Sequence, residues 1–336
     1  MKVVIIGAGS WGTALGKLLA EKENQVWLLA RRKEVCDSIN ERHENPFYLP
    51  KIKLPHNLKA ALEPKVLKKA ELIVFAVPSH ALRETLKALS KDLPEKPVPL
   101  VSTIKGIEEK SLSTMSQVVN EVLTPAWHSF YTVLSGPSFA EEVAKRLPTA
   151  VTIAGYEEDI CSFVQKTFAS QYFRTYRSFD VIGVELAGAL KNVIAIAVGI
   201  SDGLELGLNA RAALITRGLA EISRLGVKLG ANPLTFSGLA GMGDLVLTCT
   251  GSLSRNRTVG LRLGRGEKLE DILADLTQVA EGVRTTSSVK KLSEQVKVET
   301  PICDAVYQVL YQNKSPQDMV LALLSRELKK EFDFAI

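Results

Sequence analysis

The chain has 336 residues, 46% apolar and 24% charged, with a formal net charge of +5. That length suggests two domains and a core that needs neither disulfides nor structural metal. The composition excludes a disordered, a collagen-like and a polytopic membrane protein. The positive excess is mild, and no stripe of Lys and Arg interleaved with aromatics marks a nucleic-acid partner. Pairs such as Lys68-Lys69 and Lys329-Lys330 read as solvated helix faces, and the bias suits a small anionic ligand.

Cys36, Cys161, Cys249 and Cys303 form no CxxC pair, and the four histidines show no ligand spacing, so no metal site is expected. Such sparse cysteines read as reduced thiols of a cytoplasmic protein. The apolar run at 3–6 is too short for a leader and ends in Gly-Ala-Gly, which reads as a strand. Residues 181–200 are long and apolar enough to test against a membrane. Glu185, Lys191 and Asn192 interrupt them, so a buried core helix is expected and no integral membrane segment.

In chain order, strands are expected at 3–6, 26–30 and 72–77, with a helix at 13–22 between the first two. A helix at 81–90, a strand at 98–102 and a helix at 112–122 follow. Strands at 132–134 and 150–154 enclose a helix from Phe139, and a last strand covers 172–176. Short apolar strands between helices predict a doubly wound, Rossmann-type parallel sheet covered on both faces. Beyond it the apolar residues recur at helical spacing, at 181–200, 210–225, 254–263, 286–294, 301–311 and 316–328. The expected class is therefore α/β plus all-α: a nucleotide-binding domain over 1–180 and a helical substrate domain over 181–336.

Gly7-Ala8-Gly9-Ser10-Trp11-Gly12 fits GxGxxG, and here it follows a strand and opens a helix. Gly7 permits the tight turn, Gly9 lets backbone N–H groups approach a pyrophosphate, and Gly12 lets the helix sit close to the strand. The second strand ends in Arg31-Arg32 rather than in the carboxylate that bonds a ribose 2′-hydroxyl. Two guanidiniums there either attract a 2′-phosphate, which predicts NADP(H) over NAD(H), or are plain surface charges.

In such sheets ligands sit outside the carboxyl ends of the strands. That singles out Pro78-Ser79, Thr103 to Gly106 with its lone cation Lys105, and Ser135 to Ser138. Gly136 offers close backbone approach; Ser138 either faces the ligand or caps the next helix. Lys191 is embedded in an apolar helix over the small residues Ala187 and Gly188. A buried lysine can act as acid or base near neutral pH, or can snorkel or pair with a structural carboxylate. Gly241-Met242-Gly243-Asp244 reads as a flexible turn presenting a carboxylate. Ser254-Arg255-Asn256-Arg257, at a helix start, makes a phosphate-binding set or an N-cap with surface arginines. Ala280-Glu281-Gly282 is a turn with one more carboxylate.

Together these segments resemble the bacterial NAD(P)-dependent sn-glycerol-3-phosphate dehydrogenases. The likeness runs from Gly7 through Lys105-Gly106-Ile107-Glu108, SGPSFAEEV at 135–143, AALITRGLAE at 212–221 and GLAGMGDLVLTC at 238–249 to VAEGV at 279–283. Glu205 departs from it, standing where glycine is expected. The resemblance implies that Lys191 is the proton acceptor. It implies substrate contacts at Lys105, Gly136, Ser138, Asp244, Ser254, Arg255 and Asn256. It implies cofactor contacts at Ser10, Trp11, Arg31, Arg32, Lys105, Ala140, Arg255, Val279 and Glu281. It further implies a cytoplasmic homodimer that reduces dihydroxyacetone phosphate for phospholipid synthesis. Two rivals remain at this point: a hydroxy-acid dehydrogenase of the same architecture, and a non-catalytic NADPH sensor.

Overall fold

The structure, a computed structural model, describes residues 1–276, 279–328, 330 and 331; Lys329 of the second lysine pair lies outside the described residues. The first half opens with β1 (Lys2–Ile6), α1 (Ser10–Glu21), β2 (Gln25–Leu29) and α2 (Lys33–Arg42). A small antiparallel pair follows, β3 (Glu44–Asn45) and β4 (Leu49–Lys53), and then β5 (Leu58–Ala61). Next come β6 (Leu72–Phe75), α3 (Leu82–Leu89), β7 (Leu100–Ser102), α4 (Met115–Val122) and β8 (Tyr131–Ser135). The half closes with α5 (Ala140–Ala144), β9 (Thr149–Gly155), α6 (Glu158–Phe168) and β10 (Phe173–Ser178).

Eight strands form one sheet in the order β10-β9-β8-β7-β6-β1-β2-β5. The chain order reverses beside β1, which is flanked by β2 and β6. Val3, Val4 and Ile5 are buried on both faces, as a sheet covered by two helical layers requires. From β5 to β8 the strands are parallel, but β9 runs antiparallel to β8 and β10 parallel to β9. The expectation of a uniformly parallel sheet fails there for a geometric reason. The five residues of α5 rise only about 7.5 Å, too little to carry the chain back along a strand. It therefore re-enters the sheet from the end it left.

Four elements of this half were not foreseen: α2, the β3–β4 hairpin, β5 and α6. The α2 segment KEVCDSINER buries little beyond Val35, Cys36 and Ile39, too narrow a stripe to stand out. The expected helix from residue 112 begins at Met115, because Thr114 and Gln117 close a capping box there.

After Ser178 no described residue is in a strand. The helices are α7 (Val181–Gly203), α8 (Gly207–Lys228), α9 (Pro233–Ser237), α10 (Asp244–Thr250), α11 (Arg255–Gly264), α12 (Leu269–Asp275), α13 (Glu281–Val296), α14 (Pro301–Tyr311) and α15 (Pro316–Leu324). Asp180 sets the start of α7: one oxygen accepts from the Gly183 N–H, the other from the Asn232 N–H and the Thr235 hydroxyl. Among the described residues α7 is the one helix long and apolar enough to cross a membrane, and it is buried in the protein interior. It is the axis on which α8, α10, α11 and α13 pack. The α7–α11 crossing is glycine on glycine. A Cβ at Gly199 would lie 2.2 Å from the Arg257 carbonyl oxygen, and one at Gly260 2.0 Å from that of Ile196. This close approach brings the first turn of α11 against the middle of α7. All four cysteines are free and buried.

Candidate active site

At the amino end of α1 the chain turns at Gly7, whose φ of +117° lies where side chains are strained. A Cβ at Gly12 would stand 2.0 Å from the Gly7 carbonyl oxygen, so the helix could not approach the turn with any other residue. Over Gly9, the N-cap, a Cβ would meet nothing within 4 Å. The first N–H groups of α1 therefore face open space with no capping side chain, a cradle that fits a pyrophosphate. The unforeseen hairpin closes one side. Asn45 donates to the Ala8 carbonyl (2.9 Å) and to Thr13 Oγ1 (2.8 Å), and the Ser10 hydroxyl donates to the Tyr48 carbonyl. Trp11 and Ala140 pack on the small cluster of Ala14, Leu49 and Ala144. Arg31 and Arg32, just past β2, are exposed.

Beyond the carboxyl ends of β7 and β8 the chain meets the helical half. Lys105 reaches from the first side, its Nζ 3.1 Å from the Gly136 carbonyl and 2.5 Å from Asp244 Oδ2. Lys191 reaches from α7, its Nζ 2.9 Å from Asp244 Oδ1 and 2.5 Å from Thr248 Oγ1. One carboxylate is thus shared by two lysines. Thr248, one turn along α10 from Asp244, donates its hydroxyl hydrogen bond to the Asp244 carbonyl at 2.6 Å. Lys191 is 4% exposed and Asp244 1%. Burial pulls the Lys191 ammonium down to about 8; Asp244 works in the opposite direction and Lys105 adds to the lowering. Lys191 therefore does not snorkel. Cys249, next in sequence to Thr248, is pushed up to about 12 by burial, so it stays a thiol.

The third group lies where α11 and α13 begin. Three amides make a chain: the Gly282 N–H donates to Asn256 Oδ1 (2.9 Å), Asn256 donates to Asn192 Oδ1 (2.8 Å), and Asn192 donates to the Lys105 carbonyl (3.3 Å). It ties the first turn of α13 to the loop that carries Lys105. Arg255 donates to the Val279 carbonyl at 3.0 Å, and burial holds its guanidinium below its usual range. Glu281 crosses to the nucleotide side, accepting from the Ser79 N–H (3.1 Å) and hydroxyl (2.6 Å).

Several sequence expectations change in detail. The segment before Asp244 is no flexible turn: Leu239–Gly243 is a π-helical turn that runs straight into α10. Ser138 does not cap α5, whose N-cap is Phe139, and its hydroxyl donates to the Gly136 carbonyl at 2.9 Å. Ser254 does act as a cap, accepting from the Arg257 N–H. Arg257 leaves the proposed phosphate set. Two residues along the helix from Arg255, it points away and joins Arg211 on Asp202. Glu205, the departure from the family pattern, has a φ of +57°, the left-handed region that favours glycine. Thr248 and Asn192 join the constellation without having been singled out, whereas Ser79, singled out after a strand, receives Glu281. The signal for Thr248 was present: it is four residues from Asp244 on a helix.

The comparisons with known proteins follow this geometry. Residues 2–161 match the family described as NAD-dependent glycerol-3-phosphate dehydrogenase N-terminus, and residues 180–321 match its C-terminus. The glycerol-3-phosphate dehydrogenase [NAD(P)+] of Leptospira biflexa is 53% identical over 332 residues, 98% of this chain and 99% of that relative. That of Syntrophobacter fumaroxidans is 50% identical, covering 98% and 97%. The crystal structure of glycerol-3-phosphate dehydrogenase from Coxiella burnetii superposes with a TM-score of 0.91 at 40% identity, over 97% of this chain and 99% of that one. D-Mandelate dehydrogenase, at 16% identity and a TM-score of 0.61, shares the fold alone. Matched along nearly its whole length, the chain belongs to the NAD-dependent glycerol-3-phosphate dehydrogenase family.

Proposed function

We propose that Lys191 is the acid–base group with which this NAD(P)-dependent oxidoreductase interconverts dihydroxyacetone phosphate and sn-glycerol 3-phosphate. The observation that carries the proposal is the buried Lys191–Asp244–Lys105 clamp at the carboxyl ends of the strands. The bound nicotinamide supplies or accepts the hydride at C2. In reduction, Lys191 as ammonium hydrogen-bonds the carbonyl oxygen and gives that oxygen its proton as the C–O bond becomes single. In oxidation, neutral Lys191 takes the hydroxyl proton. Asp244 and Thr248 hold the Lys191 nitrogen in place, and a base near 8 can work in both directions at neutral pH.

Lys105 stands at the mouth of the clamp, within reach of both ligands. Arg255, Asn256 and the first turn of α11 behind Ser254 take the substrate phosphate, with Gly136 and Ser138 lining the other wall. Gly7, Gly9, Ser10, Trp11 and Gly12 hold the pyrophosphate side of the cofactor. Ala140, Val279 and Glu281 line the rest of its path, and Arg31 and Arg32 read a 2′-phosphate, which makes NADP(H) the preferred cofactor and NAD(H) a possible one. The division of labour is residues 1–180 for the cofactor and 181–336 for the substrate. A cytoplasmic homodimer feeding phospholipid synthesis is the setting that the family resemblance implies.

The test is absorbance at 340 nm with purified protein, dihydroxyacetone phosphate, and NADPH or NADH in parallel. Oxidation that requires the phosphate group is expected. Turnover with unphosphorylated 2-keto acids instead would favour the hydroxy-acid reading. Tight NADPH binding without turnover of either would favour the sensor.

A further inference from the structure

The turn of the β3–β4 hairpin carries Pro46, Phe47 and Tyr48. Its base and its far side are anchored to the fingerprint helix: Asn45 is fully buried on Ala8 and Thr13, Leu49 packs on Ala14, and the Tyr48 carbonyl takes the Ser10 hydroxyl. Phe47 itself is 44% exposed, an aromatic ring left at the surface by a turn that is otherwise nailed down. The Arg32 guanidinium lies over that ring, 4.7 Å from its centre. The Glu34 carboxylate approaches Arg32 Nε at 3.6 Å.

An exposed arginine at a strand tip samples many rotamers, and each anion contact must first select one of them. A planar guanidinium stacked on a ring keeps its edge donors free while its face is held. Arg32 is therefore pre-set by a neighbour that sits on the pyrophosphate cradle, so its distance from that cradle is set as well. Among the described residues no aromatic ring lies against the neighbouring Arg31 in this way.

We propose that Phe47 is a specificity-determining positioning residue, which holds the Arg32 guanidinium in the orientation that receives the 2′-phosphate of NADPH. The inference rests on the reading of Arg31 and Arg32 as 2′-phosphate ligands. The hairpin then does two things at once: it walls the pyrophosphate cradle and carries the platform for the 2′-phosphate reader.

The experiment compares Phe47→Ala, Phe47→Trp, Arg32→Gln and the Phe47→Ala/Arg32→Gln pair in the intact enzyme, with kcat and KM measured for NADPH and NADH. Phe47→Ala is expected to raise KM for NADPH about three- to fivefold, the size of an exposed cation–π contact. KM for NADH should move by less than half as much, kcat should hold, and Phe47→Trp should restore the NADPH value. Adding Phe47→Ala to Arg32→Gln should cost nothing further, because the two act as one unit. Equal increases in KM for both cofactors would overturn the inference and make the ring a platform for adenine itself. An Arg32→Gln effect on NADPH without a Phe47→Ala effect would overturn it while leaving the 2′-phosphate reading intact. No effect of either variant on NADPH would overturn both.

Discussion

Arg31 and Arg32 stand in solvent at the tip of β2, whereas Lys191 sits in the middle of α7 with only 4% of its surface exposed. Both regions carry positive charge, in opposite surroundings. At β2 the charge is screened by salt and water and, in the reading proposed above, serves the choice between cofactors. In α7 the charge is costly. Burial drags the lysine to about 8, and Asp244 and Thr248 are needed to keep it tethered. A desolvated lysine, unlike a solvated one, can exchange a proton near neutral pH.

A second contrast sharpens the first. Glu185 and Glu221 are buried like Asp244, but among the described residues neither pairs with a lysine. Glu185 accepts from the Ser116 N–H and hydroxyl and from the Tyr131 hydroxyl. Glu221 accepts from the Ile302 and Cys303 N–H groups at the start of α14. They hold helix ends in place, and burial pushes Glu221 up to about 7. What sets Asp244 apart is that two lysine ammonium groups share it.

The largest effect is expected from Lys191→Ala, a loss in kcat of roughly 10²–10⁴-fold with NADPH affinity kept; near-normal kcat would remove Lys191 from the mechanism. In the wild type, oxidation of glycerol 3-phosphate should accelerate as pH rises through about 8, where Lys191 becomes a neutral base, and reduction should slow over the same range. Asp244→Asn should lower kcat on the order of tenfold or more. It should also move that pH limb downward, since the carboxylate is what raises the lysine; an unmoved limb would mean Asp244 does not act through Lys191. Replacing Arg31 and Arg32 together with Gln should raise KM for NADPH on the order of tenfold, the scale of a lost charge-assisted bond. Added salt should weaken NADPH more than it changes kcat; parallel salt effects would contradict the contrast between the two regions.

The smallest effect on turnover belongs to Glu221→Gln, which should leave kcat in place and change stability. Its folded pKa of about 7 lies above the ordinary carboxyl value of 4.5, raised by burial. Its contribution is therefore fully present below the lower value and lost as pH rises through the upper one. Urea titrations of wild type across that window should show stability falling with pH, and the variant should flatten the trend. A variant with the wild-type slope would assign the pH dependence to another group.

Much of this was legible in the chain itself. The strand before Gly7, the fingerprint, Lys105 at a strand end and Lys191 in an apolar helix are local patterns, and hydrophobic periodicity marks the change from sheet to helices near residue 180. What escaped was of two kinds. The hairpin and α2 have weak apolar patterns of their own and exist because they pack on α1 and the sheet. Asp244 and Thr248, by contrast, lie 53 and 57 residues from Lys191 in sequence, and nothing local says that they meet it.

Residue types and short spacings thus determined the alternation of elements, the glycine turn and which charges are unusual for their surroundings. Those properties depend only on backbone sterics and on neighbours within a turn or two. Which carboxylate faces which lysine, that Glu281 ends on Ser79 rather than in solvent, and that Arg257 turns away from Arg255's side were decided by tertiary packing. The α7–α11 crossing through Gly199 and Gly260 sets the register between two helices far apart in the chain, and that register brings Asn256 to Asn192.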